Sequence, residues 1–365
     1  MLRAASVPPL AARRDPSHPL IVAGGPLTAS NASLLEPVAD VVVRGDGEEA
    51  LSTLASHLAG GSGREELVEA LRALAGARPG SRAVCPSDPV RSVFVTPRSA
   101  FPDMHLVEVM RGCPHGCRFC VMSRRTGAPV RFFPAARVLS SVPGHVRRVG
   151  LVGPSVLEHP EIDAILSGLA RRDVQVGISS ARADRVDASL AGMLADLGLR
   201  TLTVGLDGPS ARIRRSIRKG VRAEHVLSAA RHARAAGIGR LKLYAMTGFP
   251  GETDEDTDEL AETCLELAKI VRTTLSIGPL VPKRPTSLGD APFVRRSVYE
   301  ARIRRLRRAV ARHVRLDAAG WREAHLEASL ARMEADRFAD IVGSHDMSRP
   351  FSLRGLAGRA KRRSG

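Results

Sequence analysis

The chain has 365 residues, a formal net charge of +17, 44% hydrophobic residues and only 3% aromatic ones. The apolar share supports a sizeable buried core, while the scarcity of aromatic rings weighs against single-stranded nucleic-acid binding by base stacking. No apolar run approaches the roughly 18 residues needed to cross a bilayer, and the five cysteines form no paired framework, so a soluble protein of the reducing cytoplasm is expected, with no membrane partner.

Little order is expected over residues 1–19, which carry Pro8, Pro9, Arg13 and Arg14. Leu20-Ile21-Val22-Ala23 then reads as a short strand ending in Gly24-Gly25-Pro26, followed by a helix near residues 30–37. A second strand, Asp40-Val41-Val42-Val43, leads through Arg44-Gly45-Asp46-Gly47-Glu48 into an amphipathic helix reaching about His57, and a further helix spans 64–75. This strand-helix alternation predicts a partial Rossmann-like α/β fragment over 20–80, with too few strands for an independent doubly wound sheet. Arg78-Pro79-Gly80-Ser81 reads as a linker turn, and a proline-bearing linker covers 81–103.

From residue 104 a regular alternation begins. Apolar runs near 105–110, 148–153, 174–179, 201–206, 240–246 and 273–279 alternate with helical patterns near 135–142, 159–171, 186–197, 222–236 and 254–270. Six strands joined by helical crossovers predict a parallel sheet wrapped as a partial (β/α)6 barrel over 104–290. In such folds the chemistry gathers on loops at the strand C-termini.

The loop after the first of these strands carries Cys113, Cys117 and Cys120 in CxxxCxxC spacing. Three thiolates on one tight loop can hold three irons of a cubane cluster and leave the fourth open. The alternatives are a zinc knob, which usually recruits four ligands in CxxC-like pairs, or a disulfide pair. Cys264 falls on a helical stretch and reads as a buried apolar residue, leaving Cys85 as the fifth cysteine. Farther on, Thr253 and Asp256 approximate a capping box at the start of the 254–270 helix. After Pro285, helices are expected at about 297–313 and 320–341 within a C-terminal extension over 291–345, followed by a basic tail over 346–365. The arginines of this extension admit two readings, a solvated helix face or an RNA-facing surface.

The cysteine loop, its strand and the units that follow resemble the radical S-adenosylmethionine (SAM) superfamily over roughly residues 104–285. The resemblance implies a 4Fe-4S cluster held by Cys113, Cys117 and Cys120, whose open iron is chelated by SAM, and a reducing partner such as flavodoxin or ferredoxin. It implies a 5′-deoxyadenosyl radical as the oxidant of an unidentified substrate, with no catalytic residue assigned beyond the cluster. Carried over position by position, it sets Phe119 by the SAM adenine, Gly153, Pro154 and Ser155 at the SAM amino group, and Ser180 and Arg182 toward its ribose or carboxylate. Asp207 stands where many relatives have Glu, and Gly248, in the turn Gly248-Phe249-Pro250-Gly251, lies beside the adenine.

The two N-terminal strands with their turns are similar to the last part of the cobalamin-binding domain that precedes many such cores. The first half of that domain, with its Asp-x-His-x-x-Gly segment, is not in the sequence, so a truncated start or a vestigial domain is expected and cobalamin is the less favoured cofactor. Two alternatives to this enzyme reading remain: an RNA-modifying methylthiotransferase-like enzyme, for which more cysteines are expected, and a non-catalytic iron-sulfur binding protein.

Overall fold

The computed structural model describes residues 2, 5–25, 27–75, 88–123 and 130–344. The expected linker turn at residues 78–81, Cys85 and the basic tail over 346–365 lie outside the described residues. Two compact units are present: Met1–Cys85 with Val281–Asp290 and Arg322–Gly365, and Pro86–Leu280 with Ala291–Trp321.

In the first unit, β1 (Val22–Ala23) is followed by α1 (Thr28–Asn31), β2 (Val41–Val42), α2 (Glu48–Gly60) and α3 (Arg64–Ala75). β1 and β2 pair in parallel, and α2 and α3 cover them with a small core of Val41, Val43, Ala50, Leu67 and Leu71. Residues before 20, where little order is expected, are held by Arg14. Its guanidinium, 1% exposed, donates to the carbonyl oxygens of Pro8 (3.0 Å) and Val38 (2.9 Å) and pairs with Asp40 at 3.3 Å.

The second unit opens with β3 (His105–Glu108), β4 (Met110–Arg111), β5 (Arg131–Phe132), α4 (Ala135–Ser140), β6 (Arg148–Val152), α5 (Ile162–Ala170), β7 (Gln175–Ile178) and α6 (Ala188–Asp196). It continues with β8 (Thr201–Asp207), α7 (Ala211–Ser216), α8 (Ala223–Ala235), β9 (Arg240–Thr247), α9 (Asp254–Ile270), β10 (Arg272–Pro279), α10 (Arg296–Val310) and β11 (Arg315–Ala318). The strand order is β3-β6-β7 in one parallel sheet and β8-β9-β10-β11 in another, linked by a parallel bridge from Ala181 to Val204. β4 and β5 form a separate antiparallel ribbon.

This is the expected α/β core of parallel strands and crossover helices, with one strand more than the six anticipated. β11 extends β10 in parallel, and α10 seals Tyr299, Ile303, Leu306 and Val310 into the same core. The C-terminal region is therefore divided between the two units rather than forming one helical extension. The helix expected over 320–341 is broken into α11 (Trp321–Leu330) and α12 (Ala335–Ser344). Asn31 supplies the reason: its Nδ2 donates to the carbonyl oxygens of Leu330 and Met333, both at 3.0 Å, capping carbonyls that a helix end leaves open.

The long strands bury alternate residues. Leu202, Val204 and Leu206 of β8, Leu241, Leu243 and Ala245 of β9, and Leu275 and Ile277 of β10 belong to the main core. The residues between them, aligned by the parallel register, give rows such as Thr203, Lys242 and Thr274, then Gly205, Tyr244 and Ser276. These are half-buried or exposed. A parallel sheet covered on both faces would hide both sets. This one keeps a polar face, on which Lys242 Nζ lies 5.0 Å from the Tyr244 ring centroid.

The first turn of α9 follows the expected capping chemistry. Thr253 N–H donates to Asp256 Oδ2 at 2.7 Å, Ser210 Oγ donates to Asp256 Oδ1 at 2.5 Å, and Arg212 pairs with the same carboxylate. Burial alone would raise the Asp256 pKa, but these donors more than offset it and hold the carboxyl below its ordinary value. A depressed carboxyl stabilises the fold above its unfolded pKa of about 3.9, and that contribution fades as pH falls through the folded value. Asp256→Asn is accordingly expected to cost about 1–3 kcal/mol at pH 7. The gap between variant and parent in urea-unfolding midpoints should close below about pH 4; a gap independent of pH would contradict this.

Candidate active site

Parallel strands carry their C-termini to one end, so the turns after β3, β6, β7, β8 and β9 are brought toward a common region. The cysteine loop leaves β4, whose Arg111 is held by Glu108 through bonds of 2.7 and 2.8 Å. Ser123 closes the loop by donating its hydroxyl to the His115 carbonyl oxygen at 3.0 Å. Arg118 N–H donates to the Ile217 carbonyl oxygen at 3.0 Å, and its guanidinium to that of Ser216 at 3.1 Å. Cys117 Sγ lies 3.7 Å from the Arg218 carbonyl oxygen. The loop is thus tied to the segment after α7 without help from a metal.

Cys113, Cys117 and Cys120 are free thiols. Burial pushes Cys117 up to about 11 and also raises Cys120, and Cys117 senses both other thiols of the triad as well as Lys219 and Asp207. Among the described residues no three His, Cys, Asp or Glu side chains converge on a single metal ion. A cubane spreads three thiolates over three irons, and an all-thiolate donor set suits iron and sulfide rather than a hard cation. The residues present fit such a cluster.

Glu158, on the turn after β6, joins three loops. Its carboxylate accepts from Ser155 Oγ and lies 2.5 Å from His115 Nε2 of the cysteine loop, while Arg185 Nε donates to it at 3.1 Å and Arg182 Nε stands 4.0 Å away. The side chain is 6% exposed. Burial would raise its pKa, but the bonds from Ser155 and His115 and the charges of His115 and Arg182 hold it below the ordinary range. Arg182 in turn makes a two-bond pair with Asp184 (3.1 and 2.9 Å) and donates to the Lys219 carbonyl oxygen at 3.3 Å. Lys219 Nζ lies 2.5 Å from Asp207 Oδ2. Asp207 has φ +64, an uncommon left-handed backbone for a residue other than glycine.

Of the residues singled out in the sequence, Ser155, Arg182 and Asp207 therefore belong to one network with the cysteine loop. Phe119 and Ser180 are half-buried and Pro154 is exposed, and none joins that network by a side-chain hydrogen bond among the described residues. Gly153 packs against Met110: a Cβ there would meet Met110 Cγ at 2.5 Å. His115, Glu158 and Lys219 carry as much of the geometry as the residues singled out. The only local signal for Glu158 was its position three residues after Ser155, the spacing of a capping box.

Gly248 sits in a separate buried turn. Glu252 Oε2 accepts the N–H groups of Gly248 and Phe249 (2.5 and 2.8 Å), Oε1 accepts Thr247 Oγ1, and Arg302 pairs with the carboxylate at 3.1 Å. Gly248 has φ +94, and a Cβ there would stand 2.7 Å from Val294 Cβ. Gly248→Ala combines left-handed strain of about 1–2 kcal/mol with that clash. It should lower the thermal unfolding midpoint by several degrees, and an unchanged midpoint would contradict the turn geometry.

The radical SAM superfamily pattern matches residues 107–264, and the pattern for the N-terminal part of radical SAM proteins matches residues 1–77. An uncharacterized protein of Methanocaldococcus jannaschii is 32% identical over 200 residues, covering 53% of this chain and 44% of that relative. An uncharacterized methyltransferase of Pyrococcus horikoshii is 25% identical over 261 residues, covering 65% and 56%. The chain thus spans about half the length of these curated relatives. Among solved structures, the cobalamin-dependent SAM radical enzyme OxsB matches with a TM-score of 0.46 and 13% identity, over 80% of this chain and 43% of that one. No helix among the described residues is long and apolar enough to cross a membrane. With the cysteine loop following β3 and the short β4 ribbon inside the matched segment, residues 107–264 form a radical SAM superfamily core, preceded over residues 1–77 by the N-terminal domain type of radical SAM proteins.

Proposed function

We propose that the chain is an enzyme that cleaves SAM reductively at a 4Fe-4S cluster held by Cys113, Cys117 and Cys120, to modify a substrate that the sequence does not identify. The observation that carries this reading is the convergence of the cysteine loop with the Ser155-Glu158, Arg182 and Lys219-Asp207 pairs at one end of the parallel strands. When bound, the cluster would supply one electron to SAM, giving methionine and a 5′-deoxyadenosyl radical that abstracts hydrogen from the substrate. Arg182 and Lys219 offer positive charge to the methionyl carboxylate, and Asp207 and Glu158 offer negative charge to its amino group. Half-buried Phe119 and the buried Gly248 turn supply apolar surface for the adenine. The polar sheet face with Lys242, Tyr244 and Ser276 is the wall available to substrate.

The reducing partner in this reading is a one-electron carrier such as flavodoxin or ferredoxin. Methyl transfer as the reaction outcome has one support, the name of the Pyrococcus horikoshii relative. The methylthiotransferase-like alternative gains none: Cys264 lies wholly inside α9's packed face, its thiol pushed up to about 12 by burial, where it cannot ligate a second cluster. Cobalamin is not part of the reading. His18, tied to Asp15 at 3.0 Å, and His57 both lie outside any Asp-x-His-x-x-Gly segment. Electron paramagnetic resonance of the anaerobically reconstituted, reduced chain tests the proposal. SAM should change the cluster signal, and a cluster signal indifferent to SAM would refute it.

A further inference from the structure

The second unit holds a cavity of about 690 Å³ on the segment that runs from α7 to the start of α8, and its lining includes Arg214, Arg215, Arg218, Arg222, Glu224 and Glu259. Four arginines face two glutamates there, and the glutamates are already engaged. Glu259 accepts Ala211 N–H at 2.6 Å and Arg214 Nη2 at 3.1 Å, while Glu224 stands 3.6 Å from Arg222. Arg215 and Arg218 make no ion pair or side-chain hydrogen bond among the described residues. Two positive charges are left without local compensation.

Three further observations mark this excess as more than a solvated face. Arg214 is 4% exposed, and its Nε is buried with no hydrogen-bond partner, a costly condition in a protein interior. Burial lowers the Arg214 pKa although the Glu259 carboxylate opposes it, and the neighbouring Arg215 charge adds a smaller lowering. Arg218 is held at φ +56, in the left-handed region that a side chain rarely adopts. Finally, Ala223 and Glu224, which begin the 13-residue helix α8, line the same cavity, so the positive end of a helix adds to the field.

We propose that this cavity is a binding site for a small phosphorylated molecule, whose phosphate is received by Arg215 and Arg218 beside the first turn of α8. A phosphate monoester carries close to two negative charges at neutral pH, matching the excess, and arginine's fork suits its oxygens. The cavity volume is that of a small-molecule site. Because the Arg218 carbonyl oxygen contacts Cys117 Sγ, a ligand here would rest on the segment that backs the cysteine loop.

Isothermal titration of the full chain at low salt, with pyrophosphate, ribose 5-phosphate and ribose as probes, tests this without any turnover. It therefore stands or falls separately from SAM cleavage. Pyrophosphate and ribose 5-phosphate should bind and ribose should not. Arg215→Gln and Arg218→Gln should each weaken binding at least about fivefold, while Arg304→Gln, on the exposed face of α10, should leave it unchanged. Equal weakening by all three variants would mean diffuse attraction to a +17 chain and would overturn the site. So would failure of both phosphates to bind while an RNA oligonucleotide binds with a steep salt dependence, which would mark the surface as nucleic-acid binding instead.

Discussion

Replacing any one of Cys113, Cys117 and Cys120 by alanine is expected to drop the iron content after anaerobic reconstitution from about four per chain to a small fraction of that. SAM cleavage should fall below detection in the same variants. Each thiolate serves one iron corner, so two remaining ligands leave two corners exposed and the cluster is lost rather than weakened. The fold should survive. The loop is held by Ser123, Arg118 and the carbonyl oxygens of residues 216–218, so far-ultraviolet circular dichroism should match the parent. Cys264→Ala is the contrasting case. Cys264 is buried on α9 among the apolar side chains of the main core, so this variant should lose some stability and keep its iron. Retention of a full cluster in any of the three loop variants, or its loss in Cys264→Ala, would show the ligands to be misassigned.

The second large effect is expected at Glu158. Truncation to alanine leaves His115, Ser155 and Arg185 without the carboxylate they hydrogen-bond and Arg182 without the charge it faces at 4.0 Å. Removing one partner of a buried ionic group typically costs about 3–5 kcal/mol. Arg185 is 56% exposed and can regain water, which sets Glu158→Ala toward the lower end of that range. Glu158→Gln keeps the shape and one acceptor oxygen but presents an amide N–H group to cations, so it should fall between alanine and parent. Both variants also release the tie between the cysteine loop and the turns after β6 and β7. Unfolding midpoints should fall in the order parent, Gln, Ala, and SAM affinity of the reconstituted protein should fall in the same order by tenfold or more. Unchanged midpoints would mean the network carries no stability, and unchanged SAM affinity would mean it does not shape the site.

What the sequence revealed follows the range of the forces involved. Helix α9 spans 254–270 as expected because its signals are local: Thr253 and Asp256 cap it, and its first turn carries Asp254, Glu255 and Asp256. The parallel strands through β10 were visible from their apolar runs, whereas the two-residue antiparallel strand β5 (Arg131–Phe132) lies in none of them. β11 was not, because Arg315-Leu316-Asp317-Ala318 carries a single large apolar residue and Arg315 and Asp317 pair with each other along the strand. The break between α11 and α12 depends on Asn31, about 300 residues earlier, and no local pattern contains it. The site divides in the same way. The cysteine spacing is local and was legible, whereas the meeting of His115, Glu158, Arg182 and Lys219 is made by loops that only the tertiary fold brings together.

In the function proposed above, this chain cleaves SAM at a cluster on its cysteine loop. The measurement that tests it most directly is the yield of 5′-deoxyadenosine from the anaerobically reconstituted chain given SAM and a low-potential reductant. 5′-Deoxyadenosine and methionine should accumulate together only when cluster, reductant and SAM are all present. A chain that holds a full, reducible cluster and leaves SAM intact would contradict it and leave a non-catalytic iron-sulfur protein as the reading.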